Sequence, residues 1–248
     1  MQRRNFLQAT LGASLTASGR ASAASLHPAP QASKGGIPCE SITIVHDSRS
    51  SPEAAAAQEL HKFLAEMTGH HPRLLDESKT SDTPRIGWHF EVGRTKAVTS
   101  LVGSGALSDP AKKHPEAYMV RSMSSPEGQR LVFLGASGIA TLFAVYHYLE
   151  AHCGMGFFWD GDHVPRRNLV PAEGIEIVTQ PRFNERMLMN LTLYWYSVPW
   201  WEWEDWRQYI DWAIKNRYNI LSLWDTPGED EAWYKAWKKL GVEIAESS

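Results

Sequence analysis

The sequence predicts an α/β protein in two parts, a small α/β sandwich accessory domain at residues 41–179 and then the first two βα units of a (β/α)8 barrel at 181–248. Short β-rich runs alternate with runs of helical periodicity, which is typical of α/β folds. A loop-rich stretch containing several prolines ends near Thr179-Gln180-Pro181 and indicates a domain boundary. Beyond it the composition changes, because nine of the eleven tryptophans follow Asn190.

Residues 1–24 have the features of a twin-arginine (Tat) export signal. The pair Arg3-Arg4 precedes a weakly apolar stretch, and Ala21-Ser22-Ala23 is a small-x-small cleavage site. We therefore expect the Tat export machinery as a partner and a periplasmic or extracellular location. The apolar stretch is too short to span a bilayer, so no stable membrane anchor is expected. The alternative is a disordered basic N-terminus. Residues 25–40, rich in Pro, Ala, Gly and Ser, predict a linker.

Charge and cysteine content exclude several classes of function. The net charge of −3 and the lack of a Lys/Arg cluster argue against nucleic acid as a partner. The two cysteines, Cys39 and Cys153, have no neighbouring Cys/His set, so a metal site is not expected. An exported protein can form disulfides, but the sequence alone does not decide whether these two cysteines pair.

Within the accessory domain, strands and helices alternate. The runs that favour strands are 41–45, 84–93, 117–123 and 130–136. The last run is almost entirely apolar, which predicts a central position in the sheet. The first helix is expected to start with Ser51 as N-cap and Pro52 in its first turn, and to end at Gly69. The second helix is expected to begin at Gly138, and residues 154–181 are predicted to be mostly loop. The buried stripe of the second helix is expected to be Leu142, Val145, Tyr146 and Leu149.

Beyond Pro181 the pattern is β-α-β-α. The runs that favour strands are 186–192 and 219–224, and those that favour helices are 203–216 and 231–240. Two strands joined by a helix are expected to be parallel, which is how a (β/α)8 barrel begins. A complete barrel takes roughly 250 residues. We therefore expect a truncated barrel, and the alternative is that the two units pack in some smaller way.

Loops that follow barrel strands form the active face, which points to a set of polar and aromatic residues. Asn190 and Thr192 end the first predicted strand, and Asp225 follows the second. An amide both donates and accepts hydrogen bonds to neighbouring sugar hydroxyls. Trp201 and its neighbours offer faces on which a pyranose can stack, although burial in the core is the commoner fate of tryptophan.

The acidic residues near this predicted active face can be explained by helix capping as well as by a role in the site. Glu202, Glu204 and Asp205 fall at a predicted helix N-terminus, where negative charge stabilises the helix. Glu231 lies at the start of the next predicted helix, and the same explanation applies to it. Asp225 is a single carboxylate, and one carboxylate does not make an acid/base pair.

The segment after Pro181 resembles the α-N-acetylglucosaminidases of glycoside hydrolase family 89. The residues that carry the resemblance are Pro181-Arg182-Phe183, Asn190, Trp200-Trp201-Glu202-Trp203, Trp206, Ile210-Asp211-Trp212, Asn216 and Asn219. The accessory domain is similar to one shared by several hexosaminidase and glucuronidase families. The resemblance implies a retaining enzyme that uses no metal or organic cofactor and hydrolyses terminal α-linked N-acetylglucosamine or a related glycan.

The resemblance also assigns expected substrate-binding residues and shows departures from the family. The expected substrate-binding residues are Asn190, Thr192, Trp201, Asp225 and Glu231. The family has a cysteine where Thr192 stands and a glycine where Arg217-Tyr218 stands, and we expect these changes near the sugar pocket. The family's two catalytic glutamates lie on later barrel strands, so no catalytic residue is assigned here.

Two other functions fit the same sequence. One is an α-glucuronidase-like or other exo-glycosidase with a similar accessory domain. The other, of a different class, is a non-catalytic carbohydrate-binding module that uses the tryptophan-rich face.

Overall fold

A computed structural model describes residues 35–79, 87–125, 128–188, 200–223 and 243–246 of the chain. The strands are β1 (Gly36–Ile37), β2 (Ile42–His46), β3 (Arg73–Asp76), β4 (Trp88–Val92), β5 (Tyr118–Ser125), β6 (Gly128–Gly135), β7 (Gly156–Phe158), β8 (Gly161–His163), β9 (Val170–Pro171), β10 (Glu176–Thr179), β11 (Met187–Leu188), β12 (Ile220–Leu223) and β13 (Glu243–Glu246). The helices are α1 (Ser51–Thr68), α2 (Lys96–Gly103), α3 (Gly138–Ala151) and α4 (Trp203–Lys215).

The accessory domain is built on a six-stranded mixed sheet with the order β10-β5-β6-β4-β2-β3. Strands β3, β2, β4 and β6 are parallel, and β5 and β10 close one side in antiparallel pairing. The prediction of a central strand at 130–136 is confirmed, since β6 lies between β5 and β4 and its residues from Arg130 onward are buried.

Helices cover both faces of this sheet. Helices α1 and α3 pack against each other and share one large core with the sheet. A smaller cluster that includes Val98 of α2, Met119 and Leu134 covers the other face. On that face Arg130 also pairs with the buried carboxylate of Glu91, at 2.6 Å, and the hydroxyl of Thr95 donates to the same carboxylate.

The two predicted helices are present with small differences. Helix α1 has Ser50, not Ser51, as its N-cap, and Gly69 ends it with a φ of 76°, a left-handed conformation that glycine adopts without strain. Helix α3 begins at Gly138 as predicted. Its burial is not confined to a stripe, because α1, the sheet and α4 contact it from different sides.

Several elements were not predicted. The stretch 154–181, predicted as loop, contains the hairpin β7–β8 and the strands β9 and β10. The predicted linker 25–40 is wrong in its last residues, because Gly36–Ile37 pairs with Val170–Pro171 and the segment Cys39–Ser41 forms a 3-10 turn. Strand β3 and helix α2 were also missed.

The second part of the chain is the start of a parallel β/α barrel. Strands β11, β12 and β13 are parallel neighbours, and α4 connects the first two. The structure thus adds a third strand, Glu243–Glu246, to the two that were predicted. The predicted helix at 231–240 lies outside the described residues.

Two further expectations concern the membrane and the cysteines. Among the described residues, no helix combines the length and apolar character needed to cross a membrane. Cys39 and Cys153 are buried and free, and the Cys39 thiol donates to the carbonyl of His70 at 3.2 Å.

Candidate functional site

Strands β11 and β12 set the frame of the predicted site. They pair in parallel with Leu188 opposite Leu221, so their carboxyl ends lie side by side, and in a barrel these ends carry the active face. From there the chain continues to four of the predicted substrate-binding residues. These residues, Asn190, Thr192, Asp225 and Glu231, lie outside the described residues, and so do Arg3 and Arg4 of the predicted export signal.

Trp201, the fifth predicted residue, belongs to an aromatic cluster. Its ring centroid lies 5.0 Å from that of Trp206, 5.4 Å from that of Tyr209 and 6.1 Å from that of Trp159. The Trp159 ring also meets Trp212 edge-on at 5.3 Å. Trp201 is half-buried against the main core, so it serves as a packing residue while part of its surface stays accessible.

Part of this cluster forms one wall of a small open cleft of about 130 Å³. The cleft is lined by Trp159, Trp201, Asp205, Gln208 and Tyr209. Gln208 Nε2 donates to the backbone carbonyl of Trp159 at 3.1 Å. Burial raises the pKa of Tyr209 to about 12, so its phenol stays protonated and neutral at physiological pH. The cleft therefore combines aromatic faces with a carboxylate, a carboxamide and a neutral hydroxyl.

The acidic residues at the start of α4 behave as helix caps and surface ion pairs. The backbone N–H of Glu202 donates to Asp205 Oδ2 at 3.0 Å, which is half of a capping box. Glu204 accepts from Arg207 Nε at 2.8 Å. The capping interpretation of Asp205 is confirmed. Asp211 faces α1, and burial raises the pKa of its carboxyl.

The opposite end of the barrel strands rests on the accessory domain through a polar network. Arg186, just before β11, pairs with the carboxylate of Glu116. Asn219, just before β12, accepts from the Arg186 backbone N–H at 2.8 Å and donates to Glu116 Oε1 at 3.0 Å. Glu116 thus fixes the amino ends of both strands. No local sequence pattern indicates this contact, because Glu116 and Arg186 are 70 positions apart.

Arg217 lies at this same amino end, and the expectation that Arg217-Tyr218 flanks the sugar pocket is wrong. Arg217 follows α4, has a φ of 64° and pairs with Glu150 of α3. Its position is the connection from helix to strand, which in a barrel lies on the side away from the active face. An arginine adopts the left-handed backbone of this turn at a cost in strain, which a glycine would avoid.

A third contact fixes the hairpin β7–β8 to α4. Lys215 Nζ lies 2.6 Å from Asp162 Oδ2 and is positioned over the rings of Phe63 and Phe157. Asn216 Nδ2 donates to the Phe157 carbonyl at 3.1 Å. The hairpin therefore runs along α4, with Asp162 near its C-terminal end and Trp159 beside its N-terminal half.

Comparison with protein families matches the two parts of the chain separately. Residues 31–148 match the model described as the glycosyl hydrolase family 67 N-terminus. Residues 186–248 match the α-N-acetylglucosaminidase (NAGLU) TIM-barrel domain. The second match spans the β11–α4–β12 frame that carries the predicted site.

Individual proteins give the same picture. A human α-N-acetylglucosaminidase is 26% identical over 155 residues, which is 60% of this chain, and the chain spans 21% of the length of that relative. Among solved structures, a family GH115 4-O-methyl-α-glucuronidase matches 86% of this chain and 29% of its own length at a TM-score of 0.56 and 15% identity. A family 89 glycoside hydrolase from Clostridium perfringens matches 79% of this chain and 18% of its own length at a TM-score of 0.43 and 15% identity. Both parts of the chain are thus similar to glycoside hydrolases.

Proposed function

We propose that the chain is part of an exported glycoside hydrolase that removes terminal α-linked N-acetylglucosamine or a related sugar from a glycan. The observation that carries the proposal is the parallel β11–α4–β12 frame, over which the sequence matches an α-N-acetylglucosaminidase barrel domain. The accessory domain supports the general class of enzyme, since its sequence matches the N-terminal domain of another glycoside hydrolase family.

The predicted roles follow from the ends of the two strands. Asn190 and Thr192 follow β11 and are proposed to hydrogen-bond to sugar hydroxyls, while Trp201 offers an apolar face to the ring. Asp225 and Glu231 follow β12 and are proposed as further hydrogen-bond acceptors. A retaining mechanism needs two carboxylates roughly 5–5.5 Å apart. The residues described here supply no such pair in the cleft, because Asp205 is the single carboxylate among its lining residues.

A second candidate is an α-glucuronidase, favoured by the family 67 match and by the structural likeness to the GH115 enzyme. Those two similarities concern the accessory domain and the fold. Residues 186–248, which contain the predicted sugar-binding residues, match the α-N-acetylglucosaminidase model instead. This match favours the first candidate.

The test is a pair of aryl glycoside assays on this chain and on the full product of its gene. We expect the full product to hydrolyse an aryl α-N-acetylglucosaminide and not an aryl α-glucuronide, and we expect residues 24–248 alone to hydrolyse neither. Asn190→Ala in the full product should lower kcat/KM by about 5- to 150-fold, since unpairing a polar contact to the substrate costs about 1–3 kcal/mol. Turnover by residues 24–248 that Asp225→Asn or Glu231→Gln abolishes would show that the catalytic pair lies within this chain.

Export is a separate part of the proposal and rests on Arg3-Arg4. The Tat translocon reads the paired arginines and carries folded cargo. The double substitution Arg3→Lys, Arg4→Lys should leave the precursor in the cytoplasm of the producing cell, as judged by fractionation and immunoblotting. Undiminished mature protein outside the cytoplasm would contradict the Tat route without touching the proposed activity.

A further inference from the structure

We propose that the accessory domain takes part in glycan binding, with Trp159 and the first turns of α4 forming an outer subsite for a neutral pyranose. The inference rests on the proposed function, because it takes the substrate of a glycoside hydrolase as the ligand. It goes beyond that function in assigning a binding role to a residue outside the barrel.

The position of Trp159 is the first argument. It lies in the turn of the hairpin β7–β8, and the residue is 44% exposed although its ring touches Trp201, Tyr209 and Trp212. The N-terminus of α4 follows β11, and in a βα unit that helix end lies near the carboxyl end of the strand. Trp159 is thus on the side of the barrel from which Asn190 and Asp225 are proposed to reach the substrate.

The rigidity of the hairpin is the second argument. Three contacts hold it on α4, namely Gln208 with the Trp159 carbonyl, Lys215 with Asp162, and Asn216 with the Phe157 carbonyl. An exposed tryptophan on a fixed turn loses little conformational freedom when a ligand stacks on it. A purely structural anchor is better placed fully inside the core, as Phe63 is.

The chemistry of the lining decides the class of ligand. The exposed face of Trp159 suits the apolar C–H face of a sugar ring, and Asp205 and Gln208 carry groups that bind hydroxyls. The rim is acidic, since Glu202, Glu204 and Asp205 outnumber Arg207 in the first turns of α4. Like charges in proximity repel, so a neutral hexose or N-acetylhexosamine fits here and a uronic acid does not.

The test measures sugar binding by this chain with saturation-transfer NMR. The probes are methyl α-N-acetylglucosaminide and, as its anionic counterpart, methyl α-glucuronide. We expect the neutral probe to bind, and we expect Trp159→Ala to raise its Kd at least tenfold. Phe158→Ala is the matched control, because Phe158 is 50% exposed on the same hairpin and does not line the cleft. It should change the Kd less than twofold.

A second variant covers the case in which Trp159→Ala fails to fold, which thermal unfolding would reveal. Asp205→Asn keeps an oxygen that can cap α4 but removes the charge, so it should narrow the preference for the neutral over the anionic probe. An unchanged Kd in a folded Trp159→Ala protein, or an unchanged preference in Asp205→Asn, would overturn the subsite.

The outcomes separate this inference from the proposed function. If the full gene product hydrolyses the aryl α-N-acetylglucosaminide but Trp159→Ala leaves the Kd unchanged, the proposed activity is supported and the subsite is contradicted. If binding depends on Trp159 but the full gene product hydrolyses neither aryl glycoside, the subsite is supported and the proposed activity is contradicted.

Discussion

The two ends of α4 make opposite kinds of contact with the accessory domain. At its C-terminal end the junction is ionic and closed, with Lys215, Arg217 and the nearby Arg186 each paired to a carboxylate of the accessory domain. At its N-terminal end the contact is aromatic and partly open, with Trp159 and Trp201 bordering a cleft. The difference indicates that the ionic end holds the two parts together, whereas the aromatic end leaves surface available for a ligand.

The largest effect is expected from cutting the chain between its parts. Residues 35–180 contain a complete six-stranded sheet covered on both faces, so they should fold alone. Residues 181–248 lose the contacts to Glu116, Glu150 and Asp162 and should not fold, because the start of a parallel sheet then has open edges and exposed tryptophan. Circular dichroism melting of the two pieces measures this. A cooperative transition in 181–248 would show that the barrel start is independent.

Glu116→Ala should give the next largest loss. It removes the carboxylate that pairs with the half-buried guanidinium of Arg186 and one of the acceptors of Asn219 Nδ2, which should lower the free energy of unfolding by about 2–4 kcal/mol. Urea denaturation of the intact chain measures the change. Glu204→Ala is the matched control, since its exposed pair with Arg207 contributes at most about 0.5 kcal/mol. Equal losses from the two substitutions would contradict the claim that the Glu116 pair contributes more to stability than the exposed Glu204 pair.

Acid should destabilise the intact chain through His147 of α3. Burial lowers the pKa of His147 to about 4, and the ring forms a hydrogen bond with the Tyr118 hydroxyl. The unfolded chain, with an ordinary pKa near 6.5, binds a proton between about pH 6.5 and pH 4 that the folded chain does not. The free energy of unfolding therefore keeps its full value above about pH 6.5. Proton uptake by the unfolded chain at His147 lowers it by up to about 3 kcal/mol toward pH 4. Urea titrations at pH 7 and pH 5 should show a smaller difference in His147→Gln than in the unsubstituted chain, and an equal difference would contradict the assignment.

Arg217→Gly should have the smallest effect of the four. The substitution removes the ion pair with Glu150 but relieves the left-handed backbone strain, which is about 1–2 kcal/mol for a non-glycine residue. We expect a net change of about 1 kcal/mol or less in the free energy of unfolding, measured as for Glu116→Ala. A loss as large as that of Glu116→Ala would mean that the Arg217 pair contributes far more than the strain costs.

Local patterns predicted the elements that local chemistry determines. The periodicity of α1 and α3, their glycine and proline signals and the apolar run of β6 are all present in a few neighbouring residues. The missed elements depend on distant partners. Gly36–Ile37 becomes a strand only because it meets Val170–Pro171, and Glu176–Thr179 only because it meets β5.

The candidate site divides in the same way. The positions of Asn190 and Asp225 after strands follow from the sequence pattern, and their proposed roles follow from a family resemblance. No local pattern marks Trp159 as a binding residue, although it stands between two phenylalanines and an aspartate in a glycine-flanked stretch typical of a hairpin. Nothing local shows that this turn meets α4, because the contact joins Trp159 to Gln208, 49 positions later.

The completed sheet of the accessory domain also has a consequence for synthesis at the ribosome. Strand β10 closes the sheet at Thr179, seven residues before Arg186. Domains tend to fold as units in the order in which they emerge. We therefore expect Glu116 to stand in place on a finished surface when the first barrel strand appears, so that nascent β11 docks at once instead of waiting exposed to aggregation.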